Sequence, residues 1–415
     1  MLQPLIGIPC LIFFAWLLSV NRRAVKWRPV LVGLTLQWIL AVLILKTPAG
    51  AAFFDGAQTF FVGLINASYE GAKDVVGAAA LGIGGGAPML GALIFVSVIF
   101  FSSLFAILHY TGIVRRVVGV MAKAMAKTMG TSGAESTSAA ANIFVGQTEA
   151  PLLVRPYLAK MTSSELGAVM TVGYATVAGT VFGVYVAMLQ GQVPGIAGHL
   201  LAASVMSAPM GLAIAKVVFP ETQTPETLGE DIIQPESEYA NLVDAAAGGA
   251  ADGVRLALNI LGMLVAFLGI LAVVNVVIGW TANHIGSGFG HQVTLQELLG
   301  YAFAPIAWLL GIPADETLRV GSLLGTKIAV NEYVAFKELI SFAADGNPLS
   351  ERSRIISSYA LCGFANVASI AIQIGGLGSI APSRRSELAR IGFRAMLAGA
   401  LASFITAATA AVLLV

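Results

Sequence analysis

Charge is scarce in this chain. Of 415 residues only 11% are Asp, Glu, Lys or Arg, against roughly 25% in an ordinary soluble domain, too few to cover a water-exposed surface of this size. The 23 basic and 22 acidic residues leave a net charge of +1, so there is no basic field for nucleic acid. The two cysteines, Cys10 and Cys362, both lie inside apolar runs and signal neither a disulfide framework nor a metal site. His284 and His291 fall in a Gly-containing stretch without carboxylate or cysteine partners, while His109 and His199 lie at or within apolar runs. No histidine stands beside a plausible nucleophile, so the pairing needed for covalent catalysis is missing and an intramembrane enzyme is disfavoured. Gly82-Ile-Gly-Gly-Gly86 lacks the strand and downstream acid of a dinucleotide fingerprint and reads as a loop or close helix packing.

What the chain does contain is 57% hydrophobic residues, in runs that recur from Pro4 to Val415. The solvent is therefore a bilayer, whose core needs roughly 20 apolar residues per helix. That length picks out eight crossings: Pro4 to Val20, Pro29 to Leu45, Met89 to Tyr110, Glu165 to Leu189, Ile196 to Val218, Arg255 to Trp280, Arg354 to Ile374 and Ile391 to Val415. The first run lacks a preceding basic region and a cleavage site, so it is expected to be a retained span. Arg22, Arg23, Lys26 and Arg28 follow the first span, Arg115, Arg116, Lys123 and Lys127 the third, and Arg384, Arg385 and Arg390 the seventh. Alternating spans put all three clusters on one side, which the positive-inside rule makes cytoplasmic, with both termini extracytoplasmic. The break from Glu221 to Asp252, carrying Glu226, Glu230, Asp231, Glu236, Glu238 and Asp244, is then cytoplasmic as well. Ile113 to Met129 reads as an amphipathic helix in the cytoplasmic interface, and Leu295 to Leu310 as a comparable helix on the outer side.

Two segments do not fit as crossings. Ala134 to Lys160 and Val320 to Ile340 are apolar on both arms but polar at the centre, reading Asn142-Ile-Phe-Val-Gly-Gln-Thr-Glu149-Ala-Pro151 and Gly325-Thr-Lys-Ile-Ala-Val-Asn-Glu332-Tyr-Val. Re-entrant hairpins accommodate this, because irregular backbone at membrane depth is tolerated where it lines a protein cavity. The span after each hairpin carries a matching string, Gly173-Tyr-Ala-Thr-Val-Ala-Gly179 and Gly363-Phe-Ala-Asn-Val-Ala-Ser369. With three crossings between the hairpins, the two copies have opposite topology, an architecture of secondary transporters whose sites lie near the midplane on discontinuous helices. Unwinding is expected at Thr176, Ala178, Gly179 and Thr180 and at Asn366, Ala368 and Ser369, with freed carbonyls available to an ion.

Hairpin tips and broken spans together bring Gln147, Thr148, Glu149, Glu332, Asn366 and Ser369 toward one place, a set suited to a polar, mostly uncharged solute. An acid at membrane depth costs about 2.5 to 3.5 kcal/mol on insertion scales, so Glu149 and Glu332 read as functional rather than as hairpin-tip structure. Gln147, Asn366 and Ser369 could alone be packing glue between helices; the repeat favours the site. Lys327 is expected to pair with an acid or to snorkel.

Gly325-x-Lys327-x-x-x-Asn331-Glu332-Tyr333-Val334-Ala335, Gly146-Gln-Thr-Glu-Ala-Pro151, and Gly363-Phe-Ala-Asn366 running on to Ile372-Gln-Ile-Gly-Gly376 resemble the concentrative nucleoside transporter family across the whole chain. Tyr333 departs from the family's usual Phe, and Thr176 stands where Ser is common. The resemblance implies an all-α polytopic membrane protein of eight transmembrane helices, two re-entrant hairpins and interfacial helices. It implies a scaffold part over 1–130, a first transport repeat over 131–218, an acidic loop, scaffold helix and outer interfacial helix over 219–311, and the inverted second repeat over 312–415. By that likeness Gln147, Thr148 and Glu149 contact the nucleobase, Phe364 packs against it, and Glu332, Asn366 and Ser369 hold the ribose hydroxyls. Sodium, the coupling ion, maps to the Asn142 and Thr176 side chains with the Val145 and Val177 carbonyls. The implied activity is sodium-driven import of nucleosides by alternating access, by a homotrimer in the bacterial inner membrane. The substrates implied are uridine and other pyrimidine nucleosides, or adenosine. Proton coupling through Glu332 or Glu149 is the alternative, and a channel is a more distant one.

Overall fold

The computed structural model describes residues 2–83, 89–230, 232, 239–285 and 293–414. Gly84, Gly85 and Gly86 of the glycine run, Asp231, Glu236 and Glu238 of the acidic break, and His291 lie outside them. The elements in chain order are α1 (Leu2–Leu17), α2 (Trp27–Lys46), α3 (Pro48–Val76), α4 (Leu90–Tyr110) and α5 (Ile113–Met129). The first hairpin is α6 (Gly133–Ala141), a 3-10 turn (Ala150–Val154) and α7 (Arg155–Leu158). Its following span is α8 (Ser163–Ala175) with α9 (Gly179–Leu189), and then comes α10 (Ile196–Val218). After α11 (Leu242–Ile285) and α12 (Leu295–Leu309) the pattern returns as the second hairpin, α13 (Thr317–Ala329) and α14 (Glu332–Ala344), the broken span α15 (Glu351–Leu361) with α16 (Val367–Ile380), and α17 (Arg385–Leu413).

The chain is all-α, and among the described residues six helical stretches are long and apolar enough to cross a bilayer by themselves. The shorter α1, and α15 with α16 taken together, complete the eight crossings. Burial sorts them. In its most apolar window α10 is 89% buried, whereas α11 is only 11% buried. A helix apolar all round belongs in a core or in lipid, and here α10 takes the core while Val265, Val273 and Val276 of α11 face outward. The amphipathic reading of α5 holds: Val114, Val118, Ala122, Met125 and Met129 are buried, and Arg115, Arg116, Lys123 and Lys127 are exposed.

Three features differ from the sequence reading. Helix α3 is not legible in the apolar pattern, because Asp55, Gln58, Glu70 and Lys73 interrupt its apolar residues. Thr47 caps it by accepting a hydrogen bond from the Gly50 N–H at 3.1 Å, and it packs along α4, α9 and α10. Helix α11 begins at Leu242, ten residues inside what reads as a polar break; alanines make a good helix without making it apolar, and His284 lies in its last turn rather than in a loop. The helix breaks also differ from expectation: the first is narrower, running from Thr176 to Ala178, and the second lies earlier in the chain, from Cys362 to Asn366. Gly179, Thr180, Ala368 and Ser369 are helical, because Ala178 and Asn366 stand at the N-caps of the next half-helices.

The two repeats share their joinery. At the base of the first hairpin, the Ser132 hydroxyl that caps α6 donates to Glu165 at 2.5 Å, and Glu165 completes the capping box of α8. At the base of the second, Glu316 at the N-cap of α13 accepts from the Ser350 N–H at 2.7 Å and its hydroxyl at 2.8 Å, and Ser350 caps α15. The spans cross at their breaks: Gly363, at φ 133°, lies so close to the Tyr174 and Ala175 carbonyls that a Cβ there would sit 2.7 Å from the Tyr174 oxygen, a position only glycine fills.

The bases open at opposite ends of the molecule. Arg384 binds the Ala159 and Met161 carbonyls at 3.0 and 2.6 Å, and the Val20 N–H donates to the Val218 carbonyl at 2.9 Å. The first hairpin's base therefore shares an end with the basic clusters around Arg22 and Arg384. At the other end Arg352 binds the Leu414 carbonyl at 3.3 Å, and Arg319 of the second hairpin binds that of Asn347 at 2.8 Å.

Candidate functional site

Between the hairpin tips, the second halves of the broken spans and α11 lies a cavity of about 430 Å³. Gln147, Thr148, Glu149, Glu332, Phe364, Asn366 and Ser369 all line it. The folding that gathers them is local. Asn331 caps α14 by accepting the Val334 N–H at 2.9 Å, which starts that helix at Glu332 and holds the acid at the tip. Gly146 has the Glu149 carboxylate folded against it, where a Cβ would collide. Thr148 packs on Gly376, whose absent side chain leaves room for its methyl.

Glu332 is only 5% exposed and is held by two donors, the Tyr185 hydroxyl at 2.7 Å and the Asn366 amide at 2.9 Å. Asn366 works at both ends, because its Oδ1 accepts the Ser369 N–H at 2.8 Å and so caps α16. The fold thus fixes amide, carboxylate and hydroxyl relative to one another before any ligand arrives. Facing them, Gln147 Oε1 accepts from Gln373 Nε2 at 2.9 Å, which leaves the Gln147 amide N–H groups for the cavity. Glu149 is the exposed member of the set. Apolar walls come from Val181, Val184, Ile260, Met263 and Ile372. Such a cavity binds a solute with a flat or apolar body and hydroxyls that donate to a carboxylate.

Beside it lie the residues assigned to sodium. Asn142 and Thr176 are the C-caps of α6 and α8, each 1% exposed, and the Gly179 N–H ties hairpin to break by donating to the Phe144 carbonyl at 3.1 Å. Asn142 Nδ2 donates to the Ser138 carbonyl at 3.0 Å, whereas its Oδ1 is buried without a hydrogen-bond partner. Thr176 spends its proton on the Val172 carbonyl at 3.0 Å and keeps its lone pairs. Val145 and Val177 flank these two caps. An orphaned amide oxygen at the ends of two helices, where carbonyls carry partial negative charge, is a donor set that fits a hard cation.

Sequence reasoning did not assign Tyr185 or Gln373, whose partners are 147 and 226 residues away. Gln373 belongs to the Ile372-Gln-Ile-Gly-Gly376 string, but nothing in one sequence says which glutamine it meets. Asn259 and Met263 of α11 also line the cavity. Lys327 neither snorkels nor pairs: it is 0% exposed, and among the described residues no carboxylate lies within ion-pair distance of its ammonium. Its Nζ donates to the Ala360 carbonyl at 2.7 Å instead.

Family models described as Na+ dependent nucleoside transporter N-terminus, nucleoside recognition (gate), and Na+ dependent nucleoside transporter C-terminus match residues 6–79, 92–192 and 199–411. The uncharacterized transporter YutK of Bacillus subtilis is 42% identical over 408 residues, covering 98% of both chains. The nucleoside permease NupC of Helicobacter pylori is 38% identical, over 98% of this chain and 96% of its own. The solved structure of CNTnw in an inward-facing substrate-bound state superposes with a TM-score of 0.90 at 40% identity, covering 99% of this chain and 97% of that one. The chain therefore belongs to the concentrative, Na+-dependent nucleoside transporter family and is a nucleoside transporter.

Proposed function

We propose that this protein imports nucleosides together with sodium by alternating access. The observation that carries the reading is the cavity itself: Glu332, Asn366 and Ser369 on one wall, cross-braced by Tyr185, face Gln147, Thr148 and Glu149 on the other. Its volume of about 430 Å³ falls in the range of small-molecule pockets, roughly 300–1,000 Å³. A carboxylate accepts from both hydroxyls of a ribose diol, the Asn366 amide and Ser369 hydroxyl complete the sugar's contacts, and the Gln147 amide with Thr148 and Glu149 reads the base edge. Phe364, half-buried within the second break, packs on the base. The buried, unpartnered Asn142 Oδ1 supports sodium, with Thr176 and the Val145 and Val177 carbonyls as its companions.

The transport unit on this reading is the pair of repeats, 131–218 and 312–415, which moves against a scaffold made from 1–130 and 219–311. The basic end faces the cytoplasm and both termini lie outside, a reading the charge distribution supports. Assembly as a homotrimer in the inner membrane rests on family likeness. One positive charge moving through about 100 mV releases about 2.3 kcal/mol. At about 1.4 kcal/mol per tenfold, the potential alone supports roughly fiftyfold accumulation.

Counterflow uptake in proteoliposomes, with a panel of pyrimidine and purine nucleosides and with sodium present or absent, tests the reading. Uridine uptake that requires sodium and responds to membrane potential is the expected result. Uptake that persists without sodium and rises on acidification would replace sodium by a proton carried on Glu332 or Glu149.

A further inference from the structure

The two repeats end their corresponding helices in different chemistry. In the first, the inner hairpin arm α6 stops at Asn142 and the first half-span α8 stops at Thr176, and the meeting place holds an orphaned buried oxygen. In the second, the inner hairpin arm α13 carries Lys327 in its last turn, and the first half-span α15 stops at Cys362. There the meeting place holds an ammonium, 0% exposed, 2.7 Å from the Ala360 carbonyl in the last turn of α15. The Phe404 ring of α17 faces it, with its centroid 5.7 Å from Nζ. Helix C-termini and ring faces are both negative, and half-helix C-termini in such transporters hold cations.

We propose that Lys327 is a tethered cation that fills, in the second repeat, the position sodium fills in the first, so that a single sodium accompanies each nucleoside. The inference rests on the sodium reading above. It accounts for a buried lysine that has no acidic partner within ion-pair distance among the described residues: the carbonyl end of α15 holds its ammonium, with the Glu332 charge farther off. One helix break then needs an ion from solution and the other brings its own, which limits the coupling stoichiometry.

The test measures the flux ratio of labelled sodium to labelled uridine in proteoliposomes, together with sodium-dependent thermal stabilisation of the detergent-solubilised protein, for the wild type and Lys327→Gln. The wild type is expected to move one sodium per uridine. Replacing the ammonium by an amide oxygen recreates an oxygen site, so at ordinary sodium the variant loses uptake at least about tenfold. It recovers at high sodium, with the Hill coefficient for sodium rising from about one toward two as the number of ion sites doubles, and its stabilisation curve acquires a second, weaker phase. A wild-type ratio of two overturns the proposal without touching sodium coupling. So does a folded Lys327→Gln protein with wild-type uptake and first-order sodium dependence, or one that no sodium concentration rescues. Wild-type uptake indifferent to sodium is the distinct result that overturns the parent reading and this one with it. If Lys327→Gln fails to fold, the wild-type flux ratio decides alone.

Discussion

Glu332→Gln is the substitution that separates recognition from packing, because it keeps shape and volume and removes one acceptor. In the folded protein both carboxylate oxygens are engaged, one by the Tyr185 hydroxyl at 2.7 Å and the other by the Asn366 amide at 2.9 Å. A glutamine offers one oxygen and one NH2, so whichever way it turns it points a donor at a donor. The Tyr185 hydroxyl can rotate its proton away and accept instead. The Asn366 amide cannot turn round, because its Oδ1 is committed to the Ser369 N–H as the cap of α16. The glutamine therefore turns its NH2 toward Tyr185, and a ribose hydroxyl that donated to that oxygen meets a hydrogen. A lost hydrogen bond to a charged group is worth about 1.5 to 3 kcal/mol, which at about 1.4 kcal/mol per tenfold is roughly a 10- to 150-fold loss of uridine affinity. Tyr185→Phe removes the same brace from the other side, so in a double-mutant cycle the two substitutions are non-additive. The measurements are uridine binding to the purified protein and initial uptake rates at saturating sodium, with thermal stability as the control for folding. Wild-type uptake in a folded Glu332→Gln protein, or losses that simply add with Tyr185→Phe, would refute the assignment of Glu332 to the ribose.

Gln147→Ala and Gln373→Leu are expected to change the ranking of bases more than the rate for uridine, since Gln373 orients Gln147; competition by a nucleoside panel reads this, and an impairment as large as that of Glu332→Gln counts against it. Lys216, with a side chain 6% exposed, pairs with Glu135 at 2.7 Å at the base of the first hairpin and donates to the Ser164 hydroxyl at 2.9 Å. Lys216→Met leaves a buried acid alone and is expected to cost about 3–5 kcal/mol, whereas the double substitution with Glu135→Met recovers most of that; thermal unfolding in detergent measures both. At the other hairpin, burial raises the Glu316 pKa, but the nearby Ser353 hydroxyl, the hydrogen bonds from Ser350 and the charge of Arg319 outweigh it and leave the carboxyl below its ordinary value. The stabilisation is then fully present above the unfolded-state pKa of about 4.3 and lost as pH falls through the lower folded-state value. The melting-temperature gap between wild type and Glu316→Gln is accordingly expected to be constant near neutrality and to close on acidification, and a gap that widens contradicts it.

The distribution of apolar length determined the bilayer, the crossings and the two hairpins, because hydrocarbon thickness sets a length that any sequence must meet. Charge at membrane depth picked out Glu149 and Glu332 for the same reason: in a chain so short of charge, an acid inside an apolar run stands out. The internal match of Gly173–Gly179 with Gly363–Ser369 located both helix breaks to within a few residues. Composition failed where a helix is neither apolar nor regular in pattern, as in α3 and the first turns of α11. Tertiary structure alone decided which groups meet. Tyr185 braces Glu332, Gln373 holds Gln147, and Lys327 settles on the end of α15 rather than on an acid, all through contacts whose partners are far apart in sequence or set by helix termini. One sequence records which polar groups sit at depth, but their pairing follows from where the two inverted repeats cross, and that crossing exists only in three dimensions.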